Sequence, residues 1–257
     1  MNDPHVEKLT YHVTHGDGVQ YNNPPLLEWE NGIFSVRAVD GEVVVTMKVH
    51  CVDEGLARSE VEPTLQAWQI YAGLEFGVGA FDLEFQHSKI IDRAPAPGQV
   101  VRVSEASVTA CDGKVRIVRG FDHYPAPPTH FVMTPEVEAM YTLYALFRKG
   151  KARLSDVAYY CLTVVEREFC AEKKKCREQA ARALNISTSV LTNISKLASN
   201  NRGGPKECRK WPGGTPYTND EKRWLDTAVK ALIRRVGEHA AGVPDLPQIT
   251  MDLPLKP

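Results

Sequence analysis

The chain has 257 residues, of which 43% are hydrophobic and 25% are charged; these are ordinary globular values that exclude disordered and fibrous classes. Its net charge of −1 hides an asymmetry: residues 135–257 carry 21 of the 31 Lys and Arg but 14 of the 32 Asp and Glu, which leaves 10 basic against 18 acidic side chains in residues 1–134. The basic C-terminal half indicates either a surface for a polyanion or attraction between the two halves.

The first 18 residues are polar and lack the apolar core of a signal peptide. No apolar run in the sequence reaches the roughly 20 residues that cross a bilayer. We therefore expect a cytoplasmic protein with no membrane partner. The six cysteines, which form no C-x-x-C pair, are expected to be free thiols in such a reducing compartment, with Cys161 a buried apolar side chain.

A three-stranded meander is predicted near the N-terminus. Residues 26–30, 33–39 and 43–49 are rich in apolar and β-branched side chains. The pairs Asn31-Gly32 and Asp40-Gly41 separate these runs, and both pairs are typical of tight hairpin turns.

A helix follows the meander, and further strands follow the helix. Apolar residues recur at helical spacing over residues 59–76, where Gly77 ends the pattern. Strands are predicted over residues 82–85, 89–93, 100–110 and 115–118. This half is therefore expected to be a mostly antiparallel sheet with one helix, so that the whole chain has an α+β fold.

A proline-rich linker is predicted at Pro125, Pro127 and Pro128, and it divides the chain into a mixed β/α domain (residues 1–130) and an all-α domain (residues 131–257). The first C-terminal helix is expected to begin at Thr134-Pro135 and to stop at Gly150. Ser155 is predicted to cap a second helix with a charged continuation over residues 166–179.

The remaining helices begin with two short ones over residues 177–184 and 187–199, which meet at Asn185. Thr218 and Glu221 have the spacing of a capping box, which opens a long last helix that ends near Gly242. An extended tail follows. Together these patterns predict a helical bundle.

The two short helices have the pattern of a helix-turn-helix motif. In that interpretation the helix of residues 187–199 lies in a major groove, where Ser189, Thr192, Asn193 and Lys196 face bases or phosphates. The alternative is a sharp helical corner inside a bundle.

A basic loop over residues 200–214 combines glycines with four cations and an aromatic side chain. Backbone amides and cations of such a loop can hold phosphates, and an indole can stack on a base. The candidate contact residues are Arg202, Lys206, Arg209, Lys210 and Trp211. The alternative is an ordinary solvated loop.

No metal site or cofactor is predicted. His12 and His15 have H-x-x-H spacing but no third ligand is evident. The sequence also lacks a P-loop, a G-x-S-x-G nucleophile elbow and an H-E-x-x-H zinc motif.

Four segments of the C-terminal half resemble an uncharacterised bacterial family, some members of which are described as methylamine-utilisation J-like. The resemblance extends in outline to HEPN helical domains. The segments are MYTLYALFRKG (140–150), AARALNIS (180–187), RGGPKECRK (202–210) and DEKRWLDTAVKALIRRVGE (220–238). The resemblance implies a helical bundle, often a homodimer, in bacterial cytoplasm. HEPN relatives bind or cut RNA, or act as scaffolds in defence systems.

The same resemblance implies a candidate catalytic pair, Arg234 and His239, on the last helix. In HEPN ribonucleases the His acts as acid, base or stabiliser of the scissile phosphate, and the Arg binds that phosphate. In that pattern a polar residue customarily follows the Arg, and in this chain the residue after Arg234 is a second arginine, Arg235.

Three hypotheses about function result. The leading one is a non-catalytic binding or scaffold protein whose basic helical half contacts RNA, DNA or a partner protein. The second is a metal-independent ribonuclease that uses Arg234 and His239. The third is a DNA-binding regulator that uses the helix of residues 187–199.

Overall fold

The computed structural model describes residues 2–16, 19–94, 119–170, 175–199 and 216–253. The elements in chain order are β1 (Pro4–Thr14), β2 (Val19–Tyr21), β3 (Leu27–Glu30), β4 (Phe34–Val39), β5 (Glu42–Met47), α1 (Glu54–Phe76), β6 (Asp82–Asp92), β7 (Arg119–Phe121), α2 (Pro135–Arg148), α3 (Leu154–Glu168), α4 (Cys176–Ala183), α5 (Thr188–Ser199) and α6 (Asn219–Ala240). The protein is α+β, and it divides into two compact units, Met1–Pro128 and Thr129–Pro257.

The first unit is built on an antiparallel five-stranded sheet in the order β3-β4-β5-β1-β6. The predicted meander is present as β3, β4 and β5. Between β4 and β5, Asp40 and Gly41 both have positive φ, as the tight hairpin requires. The strands β2 and β7 pair in parallel and form a separate two-stranded sheet.

The strand β1, between β5 and β6, is not among the predicted strands, because residues 1–18 are mainly polar in sequence. Its side chains Val6, Leu9, Tyr11 and Val13 are buried in the core. The pairing of β1 with β6 shifts register between Val6 and Lys8 and again between Thr10 and Tyr11. Such irregularities interrupt the strict alternation of apolar and polar residues by which a strand is recognised in a sequence.

The helix α1 covers the core side of the sheet with Ala57, Val61, Leu65 and Trp68, all buried. It begins at Glu54 rather than at residue 59, since the side chain of Asp53 accepts a hydrogen bond from the amide of Leu56 at 2.8 Å and so caps an earlier turn.

The segment predicted as a linker begins inside the first unit. The indole Nε1 of Trp68 donates to the carbonyl oxygen of Pro125 at 2.9 Å, and the amide of Gly41 donates to the hydroxyl of Tyr124 at 2.7 Å. Tyr124 is buried in the core cluster.

The predicted strands of residues 82–85 and 89–93 form one continuous strand, β6, so the predicted break between them was wrong. Gln86 follows Phe85, which pairs with Tyr11, and His87 and Ser88 pair with Thr10 and Leu9 of β1. The polar residues His87 and Ser88 therefore stay in the ladder. The strands predicted over residues 100–110 and 115–118 lie outside the described residues.

The second unit consists of α2 to α6, and α3 packs against each of the other four helices. Thr134 caps α2 through the amide of Val137, and Thr218 and Glu221 form the predicted capping box of α6. The predicted cap of α3 is wrong: Arg153 occupies the cap position, its side chain makes no capping hydrogen bond, and Ser155 lies inside the helix, fully buried. The charged continuation of α3 is also shorter than predicted, because α3 ends at Glu168.

Two cysteines of the second unit form a disulfide, Cys170–Cys176, which contradicts the prediction of free thiols for this pair. The end of α3 and the start of α4 bring their Cα atoms to 4.6 Å, within the range that a disulfide spans. The ion pair between Arg177 and Glu166, at 2.7 Å, joins the same two helices. Cys51 and Cys161 are free and buried, and burial raises the pKa of the Cys161 thiol.

A glycine in α6 allows an aromatic ring to pack against the helix. A Cβ atom built on Gly237 would lie 2.5 Å from Cδ2 and 2.8 Å from Cζ of Phe131, whose side chain is buried. The carbonyl oxygen of Gly237 also accepts a hydrogen bond from the amide of Val132 at 3.1 Å. The segment before α2 is therefore held on α6 by a contact that leaves no room for a methyl group.

A buried arginine joins three segments of the second unit. Nη1 of Arg235, on α6, donates to the carbonyl oxygens of Leu184 at 2.6 Å and of Asn185 at 3.2 Å. Nη2 donates to the carbonyl oxygen of Pro247 at 2.7 Å, and Nε donates to Oε2 of Glu238 at 3.2 Å. The side chain of Arg235 thus satisfies carbonyl groups of the α4–α5 corner and of the C-terminal tail at once.

The tail after α6 runs along the α4–α5 corner. Ile249 forms a parallel bridge with Ile186: the amide of Ile249 donates to the carbonyl oxygen of Asn185 at 3.0 Å, and the amide of Ser187 donates to the carbonyl oxygen of Ile249 at 2.8 Å. Nδ2 of Asn185 donates to the carbonyl oxygen of Leu246 at 2.7 Å. The predicted extended tail is therefore an integral part of this unit.

Replacing Gly237 with Ala should destabilise the protein, although Ala normally favours a helix over Gly by about 1 kcal/mol. Because the new methyl group would overlap the ring of Phe131, we expect a net loss of roughly 1–3 kcal/mol in the free energy of unfolding. Urea unfolding of the single variants and of Gly237→Ala/Phe131→Leu checks this. The smaller side chain should recover part of the loss, and strictly additive effects would contradict the contact.

Replacing Arg235 with Met should lower the free energy of unfolding by about 3 kcal/mol, because buried carbonyl oxygens lose a charged donor. Arg223→Met is the matched control, since this arginine is exposed on the same helix and should contribute less than about 0.5 kcal/mol. Urea unfolding gives both values. Equal losses in the two variants would show that Arg235 does not hold the corner and the tail together.

Candidate functional site

Positive side chains are concentrated at the turn between α2 and α3. Four of the six residues 148–153 are Lys or Arg. Gly150 has a φ of 71°, which allows the chain to reverse immediately after α2. Lys149, Lys151 and Arg153 are all exposed. The turn therefore presents a dense positive charge to solvent.

The start of α6 adds to this charge. Lys222 lines a cavity of about 500 Å³ together with Lys151 and Arg153. Among the described residues, the wall also contains one carboxylate, Asp156, so that cations outnumber anions there by three to one. The N-terminus of α3 opens at the same place, and the helix dipole makes this end more positive. An anion in the cavity would face cations from two separate parts of the chain.

Aromatic side chains form the other part of the wall. Phe147 is half-buried and lies at the end of α2, with its ring 6.0 Å from that of Tyr144. Tyr217 is buried, and its hydroxyl donates to the carbonyl oxygen of Leu197 at 2.7 Å, which attaches the segment before α6 to the end of α5. The ring of Tyr217 is thus held in place on one side of the cavity.

The position of α6 relative to α2 is set by a polar contact. The hydroxyl of Tyr144 donates to Oδ1 of Asp226 at 3.1 Å, and Nη1 of Arg148 lies 3.8 Å from Oδ2 of the same carboxylate. Burial raises the pKa of Tyr144, so its hydroxyl stays protonated and acts as the donor. This contact fixes the start of α6, and with it Lys222, opposite the α2–α3 turn.

The predicted contact residues of α5 lie on the outer side of that helix. Its inner face is buried through Val190, Leu191, Ile194, Leu197 and Ala198. Ser189, Thr192 and Lys196 are exposed, and Asn193 is half-buried. This face remains available to a ligand, as the DNA-binding hypothesis requires. The tail residue Ile249 lies beside the turn that precedes α5, so a duplex that approaches the first turn of α5 would also meet the tail.

The candidate catalytic pair is not brought together on one face of α6. Arg234 and His239 are five residues apart, which corresponds to about 140° around an α-helix. His239 is exposed, and its ring contacts the ring of Phe169 edge-on at 5.2 Å. Arg234 is half-buried. The ribonuclease hypothesis needs both groups at one phosphate, and this spacing does not favour it.

The basic loop falls outside the described residues. Arg202, Lys206, Arg209, Lys210 and Trp211 therefore stay sequence-based predictions. Within the described ranges, no group of three or more His, Cys, Asp or Glu side chains could hold a metal ion. In the same ranges, none of the helices is both long enough and apolar enough to cross a membrane.

The cavity residues were missed in the sequence, although part of the signal is visible there. The run of cations at residues 148–153 stands out once it is compared with the rest of α2 and α3. Lys222 and Tyr217 lie about 70 residues further along the chain, and no local pattern connects them with this run.

Comparisons with protein-family models, with curated proteins and with solved structures found no match for this chain. The resemblance to HEPN domains and to the methylamine-utilisation J-like family therefore stays a prediction, as do the homodimer and the cytoplasmic location that it implies. What bears on function is the geometry of the helical unit itself.

Proposed function

We propose that the protein is a non-catalytic nucleic-acid-binding protein, and that its helical unit holds the phosphate backbone at the cavity between the α2–α3 turn and α6. One observation supports this most directly: Lys151, Arg153 and Lys222 line the same cavity, although they come from different parts of the chain. Convergent cations of this kind hold phosphates in nucleic-acid-binding proteins, and phosphate contacts supply most of the affinity that does not depend on sequence.

The wider charge distribution favours the same function. Residues 135–257 have 21 basic and 14 acidic side chains, and the cations at the α2–α3 turn are exposed. An acidic protein surface could also be attracted to such a site, but three cations that line one cavity suit a phosphate, which is small enough to contact all of them. A lack of nucleic-acid binding at low salt would favour a partner protein instead.

Each of the other two hypotheses has its own distinguishing result. The outer face of α5, with exposed Ser189 and Lys196 and half-buried Asn193, supports a contact with duplex DNA. A ribonuclease would cut RNA without metal, and His239→Ala would abolish the cleavage. The binding experiment includes probes that separate these results.

Nucleic-acid binding should weaken steeply with salt, and this dependence should be reduced by removing the three cavity cations. Each phosphate contact that is lost should reduce the slope of log K against log salt for a single strand by about 0.7. The variant Lys151→Gln/Arg153→Gln/Lys222→Gln is compared with the wild type by fluorescence anisotropy. The probes are labelled single-stranded and duplex 20-mers, with binding measured at 50 to 200 mM salt.

The matched control is Arg167→Gln/Arg182→Gln/Lys230→Gln, which removes the same charge from other parts of the helical unit. It should keep most of the wild-type slope. Equal reductions in both variants would mean that only net charge matters, and no binding at low salt would exclude the proposed function. Cut RNA that is lost with His239→Ala would favour the ribonuclease instead, while a strong preference for duplex that needs Asn193 and Lys196 would favour the DNA-binding regulator.

A further inference from the structure

The wall of the cavity contains aromatic side chains as well as cations, and a site for phosphate alone does not need the aromatic side chains. Phe147, at the end of α2, lines the cavity together with the three cations. The residue is half-buried, so part of it is accessible to a ligand in the cavity. An aromatic face next to cations is the combination by which proteins bind a base and the phosphate attached to it.

The second aromatic residue, Tyr217, gives the cavity a rigid side. Its hydroxyl is engaged with the carbonyl oxygen of Leu197, and its side chain is 8% exposed. Tyr217 therefore acts as a fixed wall, whereas Phe147 retains the exposed area that a base needs. The cavity volume of about 500 Å³ falls within the range of small-ligand sites.

The form of the nucleic acid follows from this geometry. In a duplex the faces of each base are covered by the neighbouring base pairs, so an aromatic side chain cannot stack on them without unpairing. A single strand offers a base face and its phosphate to the same small cavity. The binding of a duplex would use the cations alone.

We propose that the cavity takes one nucleotide of a single-stranded nucleic acid, with the phosphate among Lys151, Arg153 and Lys222 and the base against Phe147. This inference rests on the proposed function and narrows it to single strands. Asp156 adds one negative charge to the wall, which disfavours a second phosphate in the same cavity. The site is therefore expected to hold one nucleotide, and the flanking phosphates should remain outside it.

The experiment uses the full chain and the variant Phe147→Leu, which removes the aromatic face and leaves all cations in place. Binding is measured by anisotropy to three labelled probes of equal length: a single strand, a duplex and an abasic single strand that has the backbone without bases. The single strand should bind about tenfold more weakly to the variant than to the wild type, with an unchanged salt slope. Binding of the duplex and of the abasic strand should not change.

Phe169→Leu is the matched control, because Phe169 is a half-buried aromatic residue of the same unit that does not line the cavity. It should bind all three probes as the wild type does. A second variant, Phe147→Trp, keeps an aromatic face: it should retain single-strand binding, and its added fluorescence should be quenched by the single strand and not by the abasic strand. This measurement decides the question even if Phe147→Leu fails to fold.

Two results separate this inference from the proposed function. If the cation variant loses binding while Phe147→Leu affects none of the probes, or affects the abasic strand equally, the nucleotide cavity is excluded and the proposed function stands. If the wild type shows no salt-dependent binding to any probe, both are excluded.

Discussion

The helical unit depends on one buried guanidinium. Arg235 lies on α6, and its hydrogen bonds reach the carbonyl oxygens of Leu184 and Asn185 at the α4–α5 corner and of Pro247 in the tail. A buried charge is costly unless it is paired and fully hydrogen-bonded, and here the ion pair with Glu238 completes the set. The same side chain therefore connects α6, the α4–α5 corner and the tail, and separating these segments would remove hydrogen-bond partners from a buried guanidinium.

The proposed binding site follows from the same packing of helices. The α2–α3 turn and the start of α6 are held opposite each other by the contact of Tyr144 and Arg148 with Asp226. Tyr217 joins this region to the end of α5. The cations of the cavity stand on elements whose positions are fixed by buried contacts, so their charge is concentrated at one place. Such pre-organisation would lower the cost of ordering the side chains if a phosphate binds at the proposed site.

Much of the element order could be predicted, because it depends on local signals. The pairs Asn31-Gly32 and Asp40-Gly41 predict the meander, and Thr218 and Glu221 predict the start of α6. The missed strand β1 shows the limit of this approach. Its register shifts disturb the alternation, and its place between β5 and β6 depends on pairing with residues 30 to 38 positions away in β5 and 68 to 88 positions away in β6. Likewise, the cap predicted at Ser155 failed because burial in the helical unit, and not local capping, decides the place of that residue.

The sequence by itself determined the α+β composition, the basic C-terminal half, the turns, and the capped starts of α2 and α6, since each of these depends on residues close together in the chain. Only the tertiary structure decided that Arg235 is buried while Arg223 is exposed, that Cys170 and Cys176 form a disulfide, and that Lys222 lies at the same cavity as Lys151. The physical reason is that burial, pairing and convergence of charge depend on which distant segments pack together, and neither composition nor periodicity contains that information.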